Sequence, residues 1–117
     1  MREHERATQV WAVLAMAASH RQILTYKIAS RLVGVPAQGL AGLFGHIQSY
    51  CLQKGLPPLT SIAVNGTTGL PGTGFVAAAD IPRSQADVFN YDWLKRGAPT
   101  AKELEAAYAE TQHGRSR

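Results

Sequence analysis

The chain has 117 residues, of which 45% are hydrophobic and 17% charged, the balance of one small globular domain and not of a disordered chain. Its single cysteine, Cys51, excludes an intrachain disulfide and a cysteine-based metal site. The formal net charge of +4 permits a nucleic-acid partner but does not establish one, because the Lys and Arg residues are scattered along the chain.

The first helix is predicted over residues 5–19. Val10 and Leu14 lie on one apolar stripe, and Trp11 beside them is expected to anchor the core. The apolar run VWAVLAMAA is too short to span a bilayer, and acidic residues such as Glu3 precede it, unlike in a signal peptide. The sequence therefore predicts a cytoplasmic protein with no membrane segment and no cofactor.

Two helices separated by a tight turn are predicted next. Thr25 is the expected N-cap of a short helix over Tyr26–Val33, which Gly34 ends. After Pro36 a third helix is predicted over Ala37–Lys54. The residues expected to face inward are Ala29, Leu32 and Val33 on the second helix, and Leu40, Leu43, Phe44, Ile47, Cys51 and Leu52 on the third.

Three glycines recur at a spacing of three in the third helix: Gly39, Gly42 and Gly45. Glycine inside a helix costs about 1 kcal/mol relative to alanine. The pattern therefore indicates that something approaches this face closely. A neighbouring helix and a nucleic-acid backbone are both compatible with it.

A small β-hairpin is predicted after the third helix. Leu59–Asn65 carries β-branched residues at alternate positions, which is typical of a strand. Asn65-Gly66 favours a tight turn, and the return arm, Leu70–Ala77, is rich in glycine. This order predicts a mainly α fold with a small β-hairpin, which is a winged helix-turn-helix over residues 1–98.

An added C-terminal helix over about 101–112 is predicted within residues 99–117, with its frayed tail packed on the same domain. The pair Thr100 and Glu103 forms a capping box at its start. Before it, Asp80 or Ser84 is expected to cap a short helix ending at Phe89. Packing residues are expected at Tyr91, Trp93, Leu94, Leu104, Ala107 and Tyr108.

No catalytic or metal-binding pattern is visible in the sequence. Cys51 lies near the C-terminal end of the third helix, where the helix dipole disfavours a thiolate, so a structural role is predicted. The four histidines lack the spacing of metal ligands. The chain is therefore predicted not to be an enzyme, although an enzyme with a site that no motif reveals stays open as a third class of function.

The third helix is neutral on the side expected to face a DNA groove. Gln and Ser side chains can hydrogen-bond to bases or phosphates, but no Lys or Arg lies between Arg31 and Lys54. Lys27 and Arg31, with Arg21 before them, are the cations that could supply the missing charge. The expected groove-facing residues are Gln38, His46, Gln48, Ser49 and Gln53.

Several motifs resemble the DNA-binding domain of O6-alkylguanine-DNA alkyltransferases and alkyltransferase-like proteins. They are Val10-Trp11 on the first helix, Thr25-Tyr26 opening the second, Gly34 closing it, and the small-residue run from Pro36 to Gly42. The resemblance implies a winged helix that binds the minor groove of duplex DNA.

The chain departs from that family at the reaction centre. Where the family has a Pro-Cys-His-Arg strand, this chain has Pro58 followed by Leu59, Thr60 and Ser61, so alkyl transfer is excluded. The family's intercalating arginine corresponds to Gln38, and Ile28 occupies a position that is usually polar. The hairpin also resembles that of small uncharacterised bacterial proteins, in the run Leu56-Pro57-Pro58-Leu59-Thr60 and in Thr68-Gly69-Leu70-Pro71-Gly72 with Gly74-Phe75.

The resulting prediction is a non-enzymatic DNA-binding protein that contacts duplex DNA through the third helix and the wing. Tyr26 is expected at a phosphate and Gln38 at the base stack, with Lys27 and Arg31 on the backbone. The alternative is a protein-interaction module, an adaptor or inhibitor in a phage, mobile-element or defence setting, that keeps the fold without binding DNA. The predicted DNA-binding residues are Tyr26, Lys27, Arg31, Gln38, Gly39, Gly42, His46, Asn65 and Thr67.

Overall fold

The computed structural model describes residues 2–71 and 80–115. Within these ranges the chain is mainly helical, as predicted, with six α-helices and one two-stranded sheet. No helix in the described part is both long and apolar enough to cross a membrane. The elements are α1 (Glu3–Ser19), β1 (Leu24–Thr25), α2 (Tyr26–Val33), α3 (Ala37–Lys54), a 3-10 helix (Leu59–Ile62), β2 (Ala63–Val64), α4 (Ile81–Asn90), α5 (Trp93–Arg96) and α6 (Ala101–Arg115).

The core is built around α1, which contacts α2, α3, α5 and α6. Trp11 is almost fully buried, which confirms its predicted role as an anchor. Its ring meets the rings of Tyr50 and Trp93 edge to face, with centroids 5.6 and 5.5 Å apart. Such aromatic pairs add about 0.5–1.5 kcal/mol each to the burial of their area. Leu104 of α6 is buried in the same core, so the C-terminal helix belongs to the domain.

The helix-turn-helix segment has the predicted bounds because its ends are specified locally. Thr25 Oγ1 accepts a hydrogen bond from the backbone N–H of Ile28 (3.2 Å), which is the N-cap of α2. Gly34 and Gly55 follow α2 and α3 in the left-handed conformation, with φ of 80° and 66°. A side chain at either position would strain the backbone.

The ends of the later helices are specified in the same way. Asp80 Oδ1 accepts from the N–H of Arg83 (3.1 Å) and caps α4. Thr100 and Glu103 form the predicted capping box, with hydrogen bonds of 2.9 and 3.1 Å. Hydrogen bonds that the carboxyl of Glu103 accepts from Thr100, chiefly from its backbone N–H, lower the pKa of that carboxyl.

The predicted strand over Leu59–Asn65 is wrong for its first four residues. Leu59–Ile62 forms a 3-10 helix in which every residue is buried. Alternation of β-branched residues indicates a strand only where one face is exposed, and here no face is. Only β2 is extended, and it pairs in parallel with β1, Leu24 opposite Ala63. The small sheet is therefore parallel.

The turn predicted at Asn65-Gly66 is present but longer than a two-residue hairpin turn. Asn65 Oδ1 accepts from the N–H groups of Thr67 (2.8 Å) and Thr68 (3.2 Å). The N–H of Asn65 donates to the carbonyl of Leu70 (2.8 Å), so the chain reverses direction here. Most of the predicted return arm, from Gly72 onward, lies outside the described residues.

Three leucines predicted to pack inward are instead exposed: Leu32, Leu52 and Leu94. Each is the immediate neighbour of a buried residue, Val33, Cys51 or Trp93, and so lies about 100° away from it around the helix. The apolar arc of these helices is wider than the arc that neighbouring helices cover.

Candidate nucleic-acid interface

The helix-turn-helix unit is fixed to the rest of the domain by specific contacts. Arg6 Nη1 of α1 donates to the carbonyl oxygen of Val33, at the end of α2 (2.9 Å). The ring of Tyr26 packs on that of Phe44, with centroids 5.7 Å apart, and is half-buried. The first contact holds α2 against α1 and the second holds it against α3, and the side of α2 that carries Lys27 and Arg31 stays exposed to solvent.

The first five residues of α3 are exposed except for Leu40, which faces the core, and Leu52, Gln53 and Lys54 are exposed at the other end of the helix. Gln38 and Gly39 are exposed, as are Ala37 and Ala41. The N-cap residue, Pro36, provides no side-chain hydrogen bond, and the first turn carries no acidic residue. The N-terminus of a helix bears a partial positive charge, and its unpaired N–H groups bind anions such as phosphate.

The predicted groove-facing position of His46 is wrong. Its side chain is only 4% exposed, because α6 covers this part of α3. The imidazole stacks on the ring of Tyr108 (centroids 4.2 Å apart), and its Nδ1 lies 2.9 Å from the carbonyl oxygen of Gly42. Ser49 is buried as well, and Gln53 Nε2 donates to the carbonyl of Ala107 (2.9 Å). These polar residues therefore serve packing.

The glycines of α3 are approached by the chain itself. A Cβ at Gly42 would lie 2.6 Å from Glu3 Oε1 of α1, and a Cβ at Gly45 would lie 3.1 Å from Cε1 of Tyr108. A neighbouring helix thus accounts for the glycine pattern at both positions. The Glu3 carboxylate also sets one edge of the surface that an anion can approach.

The stretch of chain that forms α2 and α3 carries only positive charges, and Glu3 of α1 is the acidic residue at its edge. Between Glu5 and Asp80 the chain contains no Asp or Glu. The acidic residues are therefore confined to the two ends of the sequence, although the Lys and Arg residues are spread along it. Lys27 and Arg31 are exposed and lie one turn apart on α2. Within the described ranges, neither side chain forms an ion pair. The remaining cations of this stretch are Arg6, Arg21 and Lys54.

The turn that follows β2 lies beside the start of α2. A Cβ at Gly66 would lie 3.7 Å from Cγ2 of Thr25, the N-cap residue. Asn65 and Thr67 are exposed here, but Asn65 Oδ1 already accepts two hydrogen bonds within the turn. The structure thus brings the turn close to α2, whereas His46 is separated from the surface.

Among the described residues, neither the cysteine nor the metal-ligand side chains form a reactive centre at this surface. Cys51 is buried, and burial raises the pKa of its thiol to about 11, so the nucleophilic thiolate is disfavoured at neutral pH. Within the described part of the chain, no group of three His, Cys, Asp or Glu side chains is placed to hold a metal ion.

The chain matches no family model, no curated protein and no solved structure.

Proposed function

We propose that this protein is a non-enzymatic, winged-helix-type binder of duplex DNA, related in design to alkyltransferase-like domains. The observation that carries the proposal is the pair of exposed cations, Lys27 and Arg31, on a helix-turn-helix whose stretch of chain lacks any acidic residue. Phosphate contacts supply most of the affinity of such proteins, and repulsion from acidic side chains opposes it.

Each exposed element has a role in this proposal. Lys27 and Arg31 neutralise phosphates on one strand, and the uncapped N-terminus of α3 accepts another phosphate. Gln38 is the one long polar side chain on the exposed first turns of α3, so it reads or probes the bases. Tyr26 at the start of α2 is the further candidate for a phosphate contact.

The small residues around Gln38 determine how closely the helix can approach. Ala37, Gly39 and Ala41 are exposed and project at most a methyl group, so the backbone of α3 can lie near the floor of a groove. The turn Asn65–Leu70 takes the position of the wing beside α2. By the resemblance, the groove is the minor groove.

The proposal is tested by fluorescence anisotropy of a labelled duplex titrated with protein at about 50 and 200 mM salt. The double variant Lys27→Ala/Arg31→Ala is expected to bind at least tenfold more weakly at low salt. Its slope of log K against log salt should be smaller by about two, because each lost phosphate contact removes about 0.9.

The matched control is Lys95→Ala/Lys102→Ala, which removes the same formal charge from exposed positions on α5 and α6. It is expected to keep the wild-type salt slope. Equal losses in both double variants would show that net charge, and not this surface, drives binding. Absence of salt-dependent binding by the wild-type protein at micromolar concentration would refute the proposal.

A further inference from the structure

The outward side of α2 carries two kinds of residue. Beside the exposed cations Lys27 and Arg31 lie Ile28 and Leu32, whose side chains are 46% and 63% exposed. Ile28 and Leu32 are four residues apart and therefore adjacent on the helix surface. We name the surface formed by these four residues the α2 face.

The apolar part of this face exceeds what the core requires. Ala29 and Val33 are buried and attach α2 to the domain, and Ile28 and Leu32 extend the same apolar arc into solvent. An isolated exposed leucine needs no explanation, whereas adjacent large aliphatic residues rimmed by charge are typical of an interaction site. The phosphate contacts proposed for α2 do not account for them, because a phosphate gains little from an aliphatic side chain.

A second copy of the chain does not fit this face. A two-fold dimer built on it would bring Lys27 and Arg31 of one copy towards the same residues of the other. Between Glu5 and Asp80 the sequence has no acidic residue, so neither α2 nor the helix and turn that follow it supply a carboxylate to compensate this repulsion. The complementary partner must supply both aliphatic side chains and carboxylates.

We propose that the α2 face binds an acidic amphipathic helix of a partner protein. Its leucine or isoleucine residues cover Ile28 and Leu32, and its Glu or Asp residues pair with Lys27 and Arg31. This inference rests on the proposed function in one respect: the same two cations contact DNA there, so the partner helix and DNA compete. The partner would thus regulate DNA binding by occupying α2.

The test uses three synthetic helical peptides with the same leucine positions, flanked by Glu, Gln or Lys. Each labelled peptide is titrated with protein and followed by anisotropy. The Glu peptide is expected to bind at least tenfold more tightly than the Lys peptide. Ile28→Gln/Leu32→Gln should weaken its binding at least tenfold, whereas Leu94→Gln, which changes another exposed leucine, should not. Circular dichroism shows that each variant is folded.

Competition is measured by adding the Glu peptide to the protein bound to a labelled duplex, from which it should displace the DNA. Ile28→Gln/Leu32→Gln should retain DNA binding and lose displacement. Peptide binding without any duplex binding would refute the proposed function, but it would still support the binding of an acidic helix to the α2 face.

Several results would overturn this inference. They are no binding of the Glu peptide, equal binding of the Glu and Lys peptides, or an equal loss in Leu94→Gln. A wild-type dimer, seen by light scattering and dissolved by Ile28→Gln/Leu32→Gln, would make the occupant a second copy and also overturn it.

Discussion

The two halves of α3 have the same backbone and opposite surroundings. In residues 37–42 only Leu40 is buried, the small or polar residues Ala37, Gln38, Gly39 and Ala41 are exposed, and Gly42 is half-buried beside Glu3. In residues 43–54 the helix packs against α1 and α6, and even His46 and Ser49 are enclosed. We call these the open half and the packed half of α3.

The position of α6 therefore determines which part of α3 can be a binding surface. Tyr108 of α6 stacks on His46 and approaches Gly45, and Gln53 donates to the α6 backbone. Without α6, the polar residues of the packed half would look like groove contacts. With α6 in place, the open half and the neighbouring α2 stay accessible to a ligand, as do Leu52 and Lys54 at the far end of α3.

The largest effect is expected when the same side-chain atoms of a leucine are removed from the packed helix α6 and from the exposed side of α2. Leu104→Ala on α6 should lower the free energy of unfolding by about 2–5 kcal/mol, because Leu104 is fully buried under α1 and α3 and a cavity is left. Leu32→Ala on α2 should change it by at most about 0.5 kcal/mol, since that side chain is largely exposed. Urea denaturation followed by circular dichroism measures both.

Similar losses in these two variants would contradict the division into open and packed regions. A small decrease in the free energy of unfolding for Leu104→Ala would show that α6 is not part of the cooperative core. In that case the polar residues of the packed half would return as candidates for the binding surface.

A second test uses the thiol of Cys51 to measure whether the packed half of α3 excludes water. Burial raises the pKa of Cys51 from 9.0 to about 11, so between these values the folded state holds a proton that the unfolded state has lost. The stabilisation is thus complete below pH 9 and is lost as pH rises through the folded pKa. At about 1.4 kcal/mol per pKa unit, the loss relative to a Cys51→Ala protein is about 2–3 kcal/mol.

Urea denaturation of the wild type and Cys51→Ala across the alkaline range provides the measurement. Lysines and tyrosines titrate in both proteins and cancel in the difference. Identical pH dependence in the two would mean that water reaches the Cys51 thiol.

The sequence predicts the parts of this fold that depend on neighbouring residues. Thr25, Gly34 and Gly55 specify the ends of α2 and α3 through hydrogen bonds and backbone conformation within a few residues, and these bounds are confirmed. Burial of the whole segment Leu59–Ile62 depends on helices that are distant in sequence. The alternation of β-branched residues therefore predicted a strand where a 3-10 helix forms.

The candidate site shows the same limit. Lys27 and Arg31 are exposed as expected, because burial of an unpaired charged side chain is costly. The covering of His46 by Tyr108 and the position of Glu3 beside Gly42 join residues that are far apart in the sequence. Periodicity gives the faces of a helix, but it does not say which other helix lies on each face.

The smallest expected effect lies at the boundary between the two halves of α3, where Gly42 and Gly45 are one turn apart. A Cβ at Gly42 would meet the end of the exposed, flexible Glu3 side chain, which can turn away. Gly42→Ala should therefore gain up to about 1 kcal/mol of stability from helix propensity. A Cβ at Gly45 would press on the Tyr108 ring, which the stack on His46 holds in place, so Gly45→Ala should gain nothing or lose stability. The urea midpoints of both variants measure these changes in stability. Equal stabilisation of the two would mean that Tyr108 of α6 moves away from a Cβ at Gly45 at little cost.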